Sequence, residues 1–237
     1  MKRKIWYPWG LCWITVVLIG FLSGACGKSE QSVPSPPIAV TPAGEWRTWN
    51  FDQAPVDQLP SGVSVRQTGS GTLPKWEVLA DLTAASPPNV LAQRSQTNSG
   101  ERFNLAVIED SDYQDLELEV RFKAVEGSED RGGGLIWRYQ DPDNYYIARA
   151  NPLEDNFRIY RVVRGVRRQL ASSYFKVTSE VWHSMRIVAQ GDQMECFYDG
   201  KKYLTVRDPT FRHGKIGLWT KSDAVTYFDD LRVRPIK

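Results

Sequence analysis

From residue 45 onward, turn signals recur at intervals of roughly 8 to 12 residues and no segment holds a helical period, which confines the chain to many short antiparallel strands. In Asp115-Leu-Glu-Leu-Glu-Val-Arg-Phe122 the alternation is strict. Leu116, Leu118, Val120 and Phe122 point one way, and Asp115, Glu117, Glu119 and Arg121 the other. Further strands are expected around Trp46, Trp49 and Phe51 and over residues 76–80, 89–93, 157–163, 167–171, 182–189, 194–198, 202–206, 215–220 and 225–233. Residues 63–73, which carry Gly and Ser, read as a loop. The expected class is all-β, an antiparallel sandwich or jelly roll in a single domain. With 41% hydrophobic residues among 237, the chain has the apolar material for one sizeable core.

Residues 131–151 form the centre of this pattern. Gly132, Gly133 and Gly134 lower the steric cost of a tight entry into a strand and let another backbone approach closely. Two strand-like runs, 135–140 and 145–150, flank the turn Asp141-Pro142-Asp143-Asn144, so a β-hairpin is expected. Trp137, Tyr139, Tyr145 and Tyr146 are interleaved with Arg138 and Arg149. That mixture suits sugar binding, and it also suits an ordinary half-buried sheet with its arginines in solvent, the commoner arrangement. Which face points outward depends on register, because a one-residue slip exchanges the faces.

Residues 1–25 read as an export signal: Lys2, Arg3 and Lys4 precede an apolar run over 11–22, and Ser23, Gly24 and Ala25 lead into Cys26. The apolar run is shorter than the roughly 20 residues a membrane span needs. Leu22-Ser-Gly-Ala-Cys26 resembles the lipobox of bacterial lipoproteins, although its leucine stands one residue further from the cysteine than usual. The resemblance implies lipidation of Cys26, attachment to the membrane through that anchor and, with Gly27 rather than Asp following, an outer-membrane lipoprotein of the cell envelope facing the periplasm or the exterior. Residues 26–44, rich in Ser and Pro, then form an extended tether, and the folded domain spans 45–237. Removal of the signal takes three of the 30 basic residues and leaves 27 against 28 acidic ones, a balance that argues against nucleic acid as a partner. It also removes Cys12. Cys196 is then the lone thiol of the domain, in a strand-like run where a buried, inert role is expected.

Residues able to carry chemistry are sparse. Glu117 and Glu119 share a strand face about 7 Å apart, against roughly 5 to 5.5 Å for the carboxyl pair of a retaining glycosidase. Arg121 on the same face neutralises part of their charge, so a solvated strand face is expected. His183 and His213 lack a paired metal-ligand spacing, and Asp229 with Asp230 is a single pair of oxygen ligands. The glycine run precedes a strand rather than a helix, so it is no phosphate loop. No metal and no cofactor are expected. Arg158, Arg161, Arg164, Arg167 and Arg168 surround a second hairpin at Gly165, a basic cluster that suits an acidic glycan, a lipid headgroup or simply an exposed hairpin tip.

Taken together, Gly134-Leu-Ile-Trp-Arg138, Asp143-Asn-Tyr-Tyr146, Trp182-His183, Tyr198-Asp-Gly200, Gly214-Lys-Ile-Gly-Leu-Trp219 and Phe228-Asp-Asp-Leu231 resemble the concanavalin A-like, laminin G-like jelly rolls, and within them the 3-keto-disaccharide hydrolase domains. The resemblance implies a sandwich whose ligand, a glycan or sugar-like molecule, lies on a concave sheet or the loops at its rim. It nominates Arg138, Tyr146 and Arg149 from the central hairpin, with Asn151 and Glu154 from the following loop. Lys221 and Asp223 join them, from a polar turn without an evident folding role. The function expected is a lipid-anchored carbohydrate-binding or surface-interaction domain; the alternative is a glycoside hydrolase acting on 3-keto-glycosides, with catalytic residues unassigned.

Overall fold

The computed structural model describes residues 36–237, so the export signal and Cys26 lie outside the described residues. The strands are β1 (Arg47–Trp49), β2 (Val63–Thr68), β3 (Trp76–Ala80), β4 (Asn89–Gln93), β5 (Phe103–Ile108), β6 (Leu116–Glu126), β7 (Gly133–Asp141) and β8 (Asn144–Asn151). They continue as β9 (Asn156–Val163), β10 (Val166–Tyr174), β11 (His183–Gln190), β12 (Gln193–Tyr198), β13 (Lys201–Arg207), β14 (Lys215–Lys221) and β15 (Val225–Pro235). Sheet 1 has the order β13-β12-β11-β6-β15-β4-β3, with β1 also paired to β15; sheet 2 has the order β10-β9-β8-β7-β14-β5-β2. The result is the two-layer antiparallel sandwich expected of the alternating sequence.

The strictly alternating strand β6 lies at the middle of sheet 1, between β11 and β15. Leu116, Leu118, Val120 and Phe122 are fully buried against sheet 2, where Leu135, Trp137, Tyr146, Ala148 and Ile159 meet them. Burial of such side chains is worth about 1.5–3 kcal/mol each and drives the pairing of the two layers. On the other face of β6, Glu117 is held by Arg186 at 2.7 Å and Arg234 at 2.6 Å, and Glu119 by Arg232 at 2.7 Å. This face is therefore an arginine-locked ladder rather than freely solvated, and Glu117 is itself buried.

Three features differ from the sequence pattern. Residues 63–68, expected as loop, form β2 at the edge of sheet 2, with Val63 and Val65 packed into the core; the Gly and Ser residues just downstream mask this short alternation. Strand β5 is not among those expected. All of its residues are buried, because Ala106 and Ile108 face sheet 1 while Phe103, Leu105 and Val107 enter a second cluster on the opposite face, so no alternation marks it. Finally, the folded unit begins upstream of Glu45: Pro42 bridges Ile236, Ile38 N donates to Glu195 Oε1 at 3.1 Å, and Gln193 Nε2 donates to the Pro36 carbonyl at 2.8 Å.

Candidate functional site

The central hairpin forms as expected, with Asp141 opposite Asn144, but its first strand is interrupted by a bulge between Trp137 and Asp141. Arg138 sits there with a φ of 49°, and the extra residue exchanges the faces of the residues after it. Leu135 and Trp137 face the core between the sheets; Tyr139, which strict alternation would put beside them, lies on the opposite face with Ile136. Arg138 is thereby swung to the end of the sandwich and fully buried. Its Nε donates to the Gln114 carbonyl and Nη1 to the Phe211 carbonyl, both at 3.0 Å, and Nη2 meets Asp115 at 3.3 Å. Tyr146 points into the core, stacks on Trp137 with centroids 5.6 Å apart, and donates its hydroxyl proton to Asp208 Oδ1 at 2.7 Å. Arg138 and Tyr146 thus tie loops to the core and are not part of the cluster formed by the other nominated residues.

That cluster belongs to the outer face of sheet 2, which is strongly concave. Arg167 on β10 and Phe103 on β5 are five strand positions apart, about 24 Å on a flat sheet. Yet the Arg167 guanidinium carbon lies 4.9 Å from the Phe103 ring, 4.6 Å from Tyr160 and 5.9 Å from Trp219. The sheet curls until side chains from its two sides meet, and the floor of the bowl becomes a second apolar cluster including Leu105, Ile136, Tyr145, Ile147, Tyr160 and Trp219.

At one end of this bowl, alternation along β8 places Arg149 and Asn151 on the concave face. Arg149 lies opposite Gly134, whose missing side chain makes the room: a Cβ there would stand 2.0 Å from the Ala148 carbonyl oxygen and 2.9 Å from the Arg149 Cβ. The guanidinium, 1% exposed, donates to Asn156 Oδ1 at 2.9 Å, Glu154 Oε2 at 3.0 Å and the Tyr160 hydroxyl at 3.2 Å. Its Nε is buried without a hydrogen-bond partner among the described residues, as is Trp219 Nε1. Glu154 Oε2 also accepts from Asn156 Nδ2 at 2.8 Å and from Arg158 Nη1 at 2.9 Å. Burial alone would raise the Glu154 pKa, but the Asn156 amide and the Arg149 and Arg158 guanidiniums outweigh it and hold the carboxyl at about 2. Its other oxygen receives a single long contact, from Asn151 Nδ2 at 3.4 Å, and the side chain is 40% exposed. Arg158 continues outward, with Nη2 3.2 Å from the hydroxyl of Tyr174, a ring 71% exposed at the rim. Asn151 Oδ1 accepts from Leu153 N at 2.9 Å and so shapes the turn that presents Glu154.

The polar turn after β14 does have a folding role. Asp223 accepts the backbone amides of Ser128, Glu129 and Asp130 at 2.7–3.1 Å and the Ser128 hydroxyl at 2.8 Å. Burial opposes ionisation there, and these donors overcome it to hold the carboxyl at about 2. Lys221 pairs with Glu101 at 3.0 Å, beside the Arg167–Glu101 pair at 3.2 Å. Asp130, fixed by this loop and 1% exposed, is raised by burial, with Arg149 and the Gly132 amide pulling the other way. Asp223 therefore braces the 128–130 loop behind Arg149, while Lys221 is held by Glu101. Sequence reasoning missed Arg158 as a partner of Glu154, and Tyr174 as a partner of Arg158. The register Arg149 opposite Arg158 brings Arg158 to Glu154, for which an i, i+4 spacing was the available signal, and Tyr174 arrives on β10 opposite Asn156.

Other candidates lie elsewhere. His183 is bonded on both ring nitrogens, to Asp199 and Thr178, each at 2.7 Å, and His213 meets Asp112 at 2.9 Å. Burial pushes the Cys196 thiol up, as suits an inert core residue. Asp229 accepts the Ser86 amide at 2.7 Å; burial first, and the neighbouring Asp230 charge, push it up to about 7. Among the described residues, no three His, Cys, Asp or Glu side chains are grouped to hold a metal ion.

The sandwich is similar to that of the carbohydrate binding module CBM66 from Bacillus subtilis, at 18% identity and a TM-score of 0.57, over 71% of this chain and 94% of that one. A Bacillus subtilis protein of unknown function with a galectin-like fold matches at 12% identity and a TM-score of 0.51, over 72% and 88% of the two chains. A GH43 protein from Bacillus licheniformis matches at 13% identity and 0.51, over 78% of this chain and 38% of its own length. At these identities the likeness is one of fold. No curated protein matches the sequence. Residues 69–234 match the 3-keto-alpha-glucoside-1,2-lyase-like domain, and over this greater part of its length the chain belongs to that family.

Proposed function

We propose that the chain binds the sugar portion of a glycoside at the rim of the concave sheet, between the Tyr174 ring and the Glu154–Arg158 pair, with Arg149 behind them. One observation carries this reading: a carboxylate 40% exposed, with one long contact on its second oxygen, stands beside two guanidiniums, the outer of which meets an exposed aromatic ring. Sugar hydroxyls need paired donors and acceptors, and the apolar face of a pyranose stacks on an aromatic ring. The fold likeness to a carbohydrate binding module supports the same reading. Isothermal titration of the purified full chain with a panel of disaccharides tests it; saturable heat lost in Glu154→Gln and Tyr174→Ala is the expected result.

A second reading, cleavage of a 3-keto-glycoside, is favoured by the family match. Elimination of this kind takes a proton from the carbon beside the ketone, forms a carbon–carbon double bond and expels the glycosidic oxygen. The base should titrate near the working pH. Glu154, held at about 2, is poorly matched to that task, so the rim cluster suits binding rather than proton abstraction. Release of the aglycone from a 3-keto-glucoside, followed by chromatography, decides between the two. Anchoring at a lipidated Cys26 belongs to the same proposal and is supported by the Leu22-Ser-Gly-Ala-Cys26 segment. An acylated N-terminal peptide found by mass spectrometry, and a Cys26→Ala chain that is released or left uncleaved, are expected; an unmodified soluble mature form overturns it.

A further inference from the structure

Arg161, Val163, Arg164, Val166, Arg168 and Thr210 line a groove of about 500 Å³ beside the β9–β10 hairpin. Alternation along β10 puts it on the opposite face from Arg167, so it is separate from the concave-sheet cluster. Arg161 and Arg168 are direct cross-strand partners, an arrangement in which like charges repel. Asp208 answers only one of them: its Oδ2 takes Arg161 at 2.7 Å, while Oδ1 is occupied by the Tyr146 hydroxyl and the Thr210 amide. Arg164 and Arg168 are exposed and have no ion-pair partner among the described residues, and Arg161 Nε is buried without a hydrogen-bond partner. Val166, 58% exposed, adds an apolar wall.

We infer that this groove is a second binding site, for an acidic oligosaccharide whose carboxylate or sulfate groups neutralise Arg164 and Arg168. The hairpin tip is docked on its neighbour rather than free-standing. Gly165 N donates to the Asp143 carbonyl at 3.0 Å and Arg164 N to Asn144 Oδ1 at 3.1 Å, which docks the two-residue turn onto the central hairpin and leaves its side chains lining a groove. A groove of this size takes a pyranose unit with its anionic substituent, and guanidinium forks suit carboxylate and sulfate.

The test is titration of the full chain with tetragalacturonate and with a heparin tetrasaccharide, against neutral maltotetraose, at low and high salt. Binding of either acidic probe that weakens with salt, falls about tenfold or more in Arg164→Gln/Arg168→Gln, and persists in Glu154→Gln is expected. The melting temperature of the double variant should not fall, since the change relieves repulsion. Equal binding by the double variant, equal binding of maltotetraose at this site, no binding of either acidic probe, or arginine-dependent sedimentation with phosphatidylglycerol vesicles in place of oligosaccharide binding would each overturn the proposal.

Discussion

Replacing Arg149 with Met keeps a long side chain in the slot opposite Gly134 but removes the donors that organise the rim. Asn156 is fully buried and loses the partner of its Oδ1, which costs about 1–3 kcal/mol for an unsatisfied buried acceptor. The Glu154 carboxylate, 40% exposed, keeps Arg158 and Asn156, so its loss is about 0–1 kcal/mol after solvent screening. The Tyr160 hydroxyl loses a further bond. Together these give about 2–4 kcal/mol, which for a domain of this size corresponds to a fall of roughly 5–15 °C in melting temperature. Thermal melting should be read beside disaccharide titration, with Arg149→Lys as a companion that keeps the charge and loses the planar fork. Binding should fall more in both variants than stability alone explains at a temperature where each remains folded. An unchanged melting temperature would refute the packing argument. Lost stability with unchanged affinity would make Arg149 scaffold.

Gly134→Ala should destabilise by about 3 kcal/mol or more, because its Cβ meets backbone at 2.0 Å, whereas Gly191→Ala, with open space but a φ of 57°, should cost about 1 kcal/mol in the same urea titration. Asp223, depressed to about 2, contributes stability that is complete above its unfolded value near 3.9 and is lost as pH falls toward 2. The stability gap between wild type and Asp223→Asn, about 1 kcal/mol from this carboxylate after screening, should therefore close between about pH 4 and 2; a gap independent of pH contradicts the assignment. Arg138→Met should cost about 3–5 kcal/mol in urea melts, since it removes a fully buried charge from Asp115 and unties the Gln114 and Phe211 carbonyls.

The sandwich is legible wherever only one face of a strand is buried. Leu116 to Phe122 shows its period because Glu117 and Glu119 stand outside, even though arginines from β11 and β15 then lock them. Strand β5 is hidden because the curl of sheet 2 buries both of its faces. The same curl makes Arg149 and Glu154 a rim cluster, and it arises from the bowl-shaped packing of Phe103, Tyr160 and Trp219 rather than from any local motif. Proximity in sequence puts Arg138 and Tyr146 beside Arg149. A single bulge at Arg138, which no Gly or Pro announces, sends Arg138 to the end of the sandwich, while plain alternation turns Tyr146 inward. The polar turn at Lys221 and Asp223 reads as free for a ligand because its partners, Glu101 and the 128–130 amides, are more than 90 residues away along the chain.

Backbone and side-chain NMR mapping of the full chain during titration with a disaccharide that binds tests the central claim most directly. The predicted result is a contiguous set of shifts at Arg149, Leu153, Glu154, Arg158 and Tyr174, with the outer face of sheet 1 around Glu117 and Arg186 unmoved. Shifts confined to sheet 1, or saturable binding that leaves Glu154 and Tyr174 unperturbed, would contradict it.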